Sequence, residues 1–184
     1  MDPNEVLIKF VPGSPNNYTR MTDETLTKLF ETPREEIDKF KTRLRKLGCR
    51  SWSPDAQIVE IFCGRGQGLT ALSEMGFDHL EGCDLSQRLL EQCQFPARLY
   101  VADCRQLPFD DASRDIVIVQ GGLHHLPEWK TDLPRVLAEV RRVLRPEGRF
   151  VVVEPWWTPF LRCVHIAARQ PLVRKLSAKI DALQ

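Results

Sequence analysis

From Gln57 to Glu154 the chain alternates short apolar runs with amphipathic stretches, and few architectures satisfy that order. Gln57–Phe62 reads as a first strand, and Gln67–Met75 as a helix that Gly76 ends. His79–Cys83 reads as a second strand, and Ser86 caps a helix reaching about Cys93. Arg98–Ala102 is a third strand. Arg114–Gln120 is a fourth, with Ile116-Val117-Ile118-Val119 as its buried run. A long helix over Thr131–Leu144 places Leu133, Val136, Leu137, Val140 and Leu144 on one face. After a turn at Pro146-Glu147-Gly148, Arg149–Glu154 reads as the fifth strand. Continuous apolar strands between amphipathic helices predict an α/β fold: a Rossmann-like, mainly parallel sheet with helices on both faces. Right-handed crossovers then bring every strand's C-terminal end to one edge of the sheet.

The flanks read differently. Residues 1 to about 19 look irregular, because Pro3, Pro12, Gly13, Pro15 and Asn16-Asn17 break any period. Helical signals begin near Thr22-Asp23-Glu24. A second helix starts with Thr32 as N-cap, Pro33 at the first helical position and Glu35 and Glu36 in the first turn, and Gly48 stops it. The tail Phe160–Leu183 is helical, interrupted by Pro171, and carries Arg162, Arg169, Arg174, Lys175 and Lys179 against Asp181. A solvated helix face is the plain reading of that tail; a membrane surface or a partner is the other. These shifts divide the chain into an N-terminal irregular and helical extension (1–50), a Rossmann-like domain (51–157) and a C-terminal helical segment (158–184).

Composition restricts the function classes. At 184 residues with 42% hydrophobic and 28% charged residues, the chain has ordinary globular character. Its net charge of +1 provides no general field toward nucleic acid, so none is expected as a partner. No apolar run is long enough to span a bilayer, and the first five residues lack the basic and apolar parts of a signal peptide, so a cytoplasmic location is the default. The six cysteines form no CxxC pair; they read as small buried thiols in a reducing compartment, and no metal site is expected.

In such sheets ligands bind beyond the strand C-termini. Here those ends read Glu60-Ile61-Phe62-Cys63-Gly64-Arg65-Gly66-Gln67-Gly68, then Asp84, then Asp103, then Gln120-Gly121-Gly122, then Glu154-Pro155. Taken singly, each has a plain explanation: acids after strands cap helices or face water, and glycines only permit turns. One bound ligand would account for all of them together.

The first of these stretches, Ile58–Gly66, resembles the first motif of class I S-adenosylmethionine-dependent methyltransferases. Gly82-Cys83-Asp84-Leu85-Ser86 is similar to their second motif and Ala102–Phe109 to their third. Asp115–Leu126 and Arg142–Phe150 resemble the fourth and fifth, in the small-molecule-type branch. The motifs occur in order over roughly residues 57 to 155.

The resemblance implies S-adenosylmethionine as cofactor and gives each position a task. Gly64 and Gly66 let the backbone approach the methionine part of the cofactor, and Glu60, where the family more often has Asp, accepts from its ammonium. Phe62 stands where the family often has Gly. Asp84 takes the ribose hydroxyls. Asp103 accepts from the adenine amino group, the Cys104 amide meets a ring nitrogen and Leu85 covers an adenine face. Cys63, Gln120 and Gly121 line the site, the last two beneath the sulfur. The family's sheet normally continues into two more strands. None is signalled after Glu154, so the sheet is expected to lack them: either the chain is a fragment of a longer protein, which is the favoured reading, or the fifth strand is left as an edge for a second copy or another partner to cover.

Methyl transfer from a sulfonium mainly requires proximity and alignment, and some acceptors also need a base. His124 and His125 follow the fourth strand and are the candidate bases; the competing reading makes His-His-Leu-Pro a packing element. Leu123–Trp129, Trp156-Trp157 and Tyr18-Thr19-Arg20 are candidate pocket walls for a small-molecule acceptor. Two other functions remain open: a non-catalytic cofactor-binding or interaction module, and an NAD-dependent oxidoreductase. The second is disfavoured because Leu69 occupies the place of its third fingerprint glycine and Asp103 has no use in it.

Overall fold

The computed structural model describes residues 7–10, as backbone only, and residues 32–154. The Thr22 helix, the Tyr18–Arg20 and Trp156-Trp157 walls and the basic tail lie outside the described residues. Ile37–Glu154 fall in one compact unit; of a second, Thr19–Glu36 with Pro155–Gln184, only residues 32–36 are described.

In chain order the elements are β1 (Leu7–Phe10), α1 (Pro33–Lys46), β2 (Ile58–Ile61), α2 (Gln67–Ser73), β3 (Leu80–Asp84), α3 (Gln87–Leu90), β4 (Arg98–Val101), β5 (Arg114–Gln120), α4 (Trp129–Val143) and β6 (Leu144–Val153). The strands form one six-stranded sheet in the order β1-β4-β3-β2-β5-β6, and every pairing is parallel. The order reverses at β2, which lies between β3 and β5. This is the switch point at which a doubly wound sheet opens a crevice.

Period-two alternation sorts the strand residues onto two cores. Ile58, Leu99, Val101, Ile116 and Ile118 face one side, where α1 contributes Phe40 and Leu44, α2 Leu69 and Leu72, and α3 Leu90. Val59, Ile61, Tyr100, Val117 and Val119 face the other, against Val136, Val140 and Val143 of α4. Full burial of each large aliphatic or aromatic side chain stabilises the fold by roughly 1.5–3 kcal/mol. Helices on both faces, as the sequence predicts, follow from this division.

The start of α1 is also as predicted. The Glu35 amide donates to Thr32 Oγ1 at 3.3 Å, and the Thr32 amide donates to Glu35 Oε2 at 2.8 Å, a reciprocal capping box.

Three expectations need correction. The N-terminal stretch expected to be irregular contains β1, which pairs with β4 from Leu7↔Arg98 to Phe10↔Val101. Four residues between prolines are too few to establish a period; the β4 edge supplies the missing partner. The helix after Ser86 is a single turn and does not reach Cys93. Pro96 disfavours a helical backbone at Phe95, so the chain leaves the helix earlier. Finally, Pro146-Glu147-Gly148 is not a turn ahead of the last strand but a register shift inside β6. Leu144 pairs with Arg114, and pairing resumes at Ile116↔Arg149. Pro146 has no amide to give the ladder, which suits an interruption there. Among the described residues β6 is a sheet edge, with Val152 42% exposed.

Candidate functional site

Backbone bonds tie the C-terminal ends of the strands to one another. The Cys63 amide donates to Cys83 O at 3.2 Å, Ala102 N to Asp84 O at 3.0 Å, and Gly121 N to Val153 O at 2.7 Å. The sequence-predicted site residues therefore converge along one sheet edge, β4 to β6.

The turn after β2 is tight. The Gly66 amide donates to Cys63 O at 2.8 Å, and Gly64 and Gly66 have φ of 52° and 78°. Phe62, in the place where glycine is more usual, also has a positive φ of 59°. A side chain in that region costs roughly 1–2 kcal/mol. The Phe62 ring lies against Gly122 of the loop after β5, where a Cβ would stand 2.3 Å from its Cγ. The loops after β2 and β5 thus meet through this aromatic ring.

Glu60 is 3% exposed and shares the face of Ile58, beneath α2. Its carboxylate contacts Gly68, and a Cβ on Gly68 would stand 2.1 Å from Oε1. Asp84 accepts from the Gly64 amide at 2.9 Å and the Ser86 amide at 2.8 Å, so one carboxylate joins the glycine turn to the end of β3. The buried thiol of Cys63 is pushed well up, first by burial and then by the charges of Asp84 and Glu60. Its ordinary role is packing, and the five described cysteines are all buried.

Asp103 lies just beyond β4. Its carboxylate takes the Arg105 fork, with Nε to Oδ1 at 2.9 Å and Nη2 to Oδ2 at 2.6 Å, while Arg105 Nη1 reaches Asp132 Oδ1 at 2.8 Å. Burial raises the Asp103 carboxyl, but hydrogen bonds from Arg105 outweigh it and hold the group below the usual range. Asp132 is lowered chiefly by its hydrogen bond from Arg105. Beside them, the Cys104 thiol is pushed up to about 12, by burial first. Sequence reasoning missed Arg105 and Asp132; a basic residue two positions after Asp103 was the available signal.

At the end of β5, Gln120 Oε1 is shielded from solvent with no hydrogen-bond partner among the described residues. Beyond it a 3-10 turn, Leu123–His125, brings His124 to Glu154 with Nδ1 2.8 Å from Oε2. The imidazoles of His124 and His125 lie tilted at 43° to each other with their centroids 4.0 Å apart. Glu154 Oε1 accepts from the Gly122 and Leu123 amides at 2.9 and 2.8 Å. Sequence reasoning placed Glu154 at a strand end but gave it no task.

These carboxylates make stability depend on acid. Asp103, Asp132, Glu139 and Glu154 all have folded values below their ordinary ones. Groups lowered on folding contribute stability that is complete above the unfolded value and lost as pH falls through the folded one. Thermal melts should therefore show a midpoint that is steady above about pH 5 and falls steadily as pH drops through and below about 4. A midpoint that rose on acidification would contradict the assigned ion pairs.

The comparisons with known proteins decide the family. A methyltransferase-domain family matches residues 59–152, more than half of the chain. The chain belongs to this methyltransferase family. Within the family, it is 25% identical over 177 residues to mRNA cap guanine-N(7) methyltransferase 1 of Arabidopsis thaliana, covering 83% of this chain and 47% of that protein. It is 38% identical over 100 residues to phthiotriol/phenolphthiotriol dimycocerosates methyltransferase of Mycobacterium tuberculosis, covering 51% of this chain and 36% of that protein. The chain thus spans less than half the length of these two curated relatives. Among solved structures, the PH0226 protein of Pyrococcus horikoshii OT3 superposes with a TM-score of 0.63 at 25% identity, over 77% of this chain and 63% of that one.

The family's cofactor is S-adenosylmethionine. The residues present fit it. A donor bearing both an ammonium and a sulfonium suits a turn in which Cys63 lies within the field of the Asp84 and Glu60 carboxylates. The shielded Gln120 Oε1 is an acceptor in need of a partner. Among the described residues no cluster of His, Cys, Asp and Glu could hold a metal ion, and no helix is long and apolar enough to cross a membrane.

Proposed function

We propose that this chain transfers a methyl group from S-adenosylmethionine to a small-molecule acceptor. The observation that carries the reading is the tie between Asp84 and the Gly64 amide, because it joins an acid suited to ribose hydroxyls to the turn suited to the methionine end. Glu60, Cys63, Gly64 and Gly66 would hold that end, Asp84 the ribose, and Leu85, Asp103 and Cys104 the adenine, with Gln120 beneath the sulfur. The bound cofactor supplies an already activated methyl group; the chain supplies alignment, exclusion of water and, at His124 or His125, a place for the acceptor's proton. The near-zero net charge favours a small acceptor over a polyanion, and the relative named for phthiotriol methylation is consistent with it.

Titration calorimetry tests the cofactor assignment. Asp84→Ala is expected to weaken S-adenosylhomocysteine by at least about tenfold, roughly 1.4 kcal/mol, with Asp84→Asn intermediate because it keeps one acceptor. Unchanged affinity would remove Asp84 from the site, and preferential binding of NADH would overturn the reading. Turnover against phenol, carboxylic acid, amine, thiol and capped-RNA probes then tests the acceptor class. Methylation of the RNA alone would exclude a small-molecule acceptor.

A further inference from the structure

The loop after β5 and the end of β6 are held together by a single carboxylate. Glu154 Oε1 collects the Gly122 and Leu123 amides, and Oε2 lies 2.8 Å from His124 Nδ1. Both residues are partly exposed, with side-chain accessibilities of 39% for His124 and 22% for Glu154. The pair therefore stands at a surface a ligand can reach. A carboxylate only accepts, so a neutral His124 must carry its proton on Nδ1 to make this bond. Nε2 is then a bare acceptor, and it makes no hydrogen bond among the described residues. The ring's Cε1 lies at 3.9 Å from the position a Cβ on Gly121 would take, which places the imidazole beside the residue following Gln120.

We infer that Glu154 is a positioning residue that locks His124 in the Nδ1–H tautomer, leaving Nε2 to take the proton of a protic methyl acceptor. The inference rests on the methyltransferase reading and deepens it in two respects. It selects His124 over His125, since Glu154 bonds His124. It also limits the acceptor to one whose attacking oxygen, nitrogen or sulfur carries a proton. As the acceptor's lone pair forms the new bond to the methyl carbon, its proton passes to Nε2, and the electron pair of the broken S–C bond stays on sulfur. The imidazolium so formed lies beside the Glu154 carboxylate, which stabilises it. A loop staple that only ordered Gly122 and Leu123 would need the two amide bonds and would be indifferent to the ring.

The variant that separates these roles is Glu154→Gln. Its Oε1 still accepts from the two amides, but its NH2 donates to Nδ1 and forces the proton onto Nε2. A carboxylate-to-amide exchange of this kind in a catalytic triad lowers turnover by about 10⁴ through the wrong tautomer. Long-range ¹H–¹⁵N spectra of the full chain at about pH 9, above the range in which histidine titrates, should show His124 as Nδ1–H in the wild type and Nε2–H in Glu154→Gln. Calorimetry should give S-adenosylhomocysteine affinities within about twofold. Turnover on the best of the phenol, carboxylic acid, amine and thiol probes should fall by at least about 100-fold in kcat, with Glu154→Asp partly restoring it. A wild-type Nε2–H tautomer overturns the proposal. So does a tautomer flip that leaves kcat unchanged, or preferred methylation at carbon. Failure of the wild type to bind S-adenosylmethionine would instead sink the methyltransferase reading, a result on which the tautomer measurement does not depend.

Discussion

Gly68→Ala is expected to unseat Glu60 and abolish cofactor binding, although alanine is the better helix former. On propensity alone the change would stabilise α2 by roughly 1 kcal/mol. The new methyl would, however, stand 2.1 Å from Glu60 Oε1, 2.4 Å from Oε2 and 2.5 Å from the carboxyl carbon. Glu60 is 3% exposed on the core face beneath α2, so displacing its carboxylate disturbs the packing around it. Either the helix lifts from the sheet or the carboxylate is driven off its place. Overpacking of this kind costs about 1–3 kcal/mol or more, and calorimetry should show at least about a 100-fold loss of S-adenosylhomocysteine affinity, near 2.7 kcal/mol. The double variant Glu60→Ala with Gly68→Ala makes the argument decisive. Removing the carboxylate clears the clash and leaves the helix gain, so thermal stability should return to at least the wild-type level. Cofactor binding should not return, because the acid suited to the ammonium is gone. Recovery of both would mean that Glu60 serves packing alone.

The same contact shows what the sequence discloses and what it withholds. From β2 onward the order of elements was legible because it depends on local periods: β2, β5 and α4 carry their patterns within a few residues, whereas the four residues of β1 do not. The strand-end acids were legible because a parallel sheet gathers its C-terminal ends whatever its exact register. That Glu60 sits under Gly68 was not, since the pair is defined by how closely α2 lies on β2. The sequence shows a third glycine in the turn but not the carboxylate it accommodates. Arg105 is similar: its fork on Asp103 is local, but its bond to Asp132 bridges 27 residues and depends on where α4 begins. The helix starts at Trp129, ahead of the expected Thr131, because Glu128 O receives the Thr131 and Asp132 amides. Glu154 and His124 stand 30 residues apart and meet only through the β5–β6 pairing. Short-range chemistry was readable; partners chosen by sheet register were not.

Arg142→Ala should produce the largest stability loss of any single surface-reaching substitution in the described chain. Its guanidinium donates five hydrogen bonds: Nε to Glu139 Oε1 at 2.9 Å, Nη1 to Phe109 O at 2.8 Å and Asp111 Oδ1 at 2.7 Å, and Nη2 to Leu107 O at 3.0 Å and Glu139 Oε2 at 2.8 Å. Glu139 in turn accepts from the Leu107 amide at 2.8 Å. Arginine thereby fastens the loop from Leu107 to Asp111 onto α4, and that loop continues directly from Asp103, Cys104 and Arg105. Asp111 is 77% exposed, so its share is small. The two carbonyls and the Glu139 fork carry the effect. Losing them should cost about 3 kcal/mol, which for a domain of this size lowers the melting midpoint by about 6–12 °C. Arg142→Lys is the informative companion. Lysine keeps the charge and can meet Glu139, but a point ammonium cannot reach both carbonyls in the plane of a fork, so most of the loss should persist. Hydrogen exchange at Leu107 should accelerate in both variants while amides of β2 and β5 stay protected. If Lys restored full stability, charge alone would hold the loop, and the fork geometry assigned to Arg142 would be irrelevant.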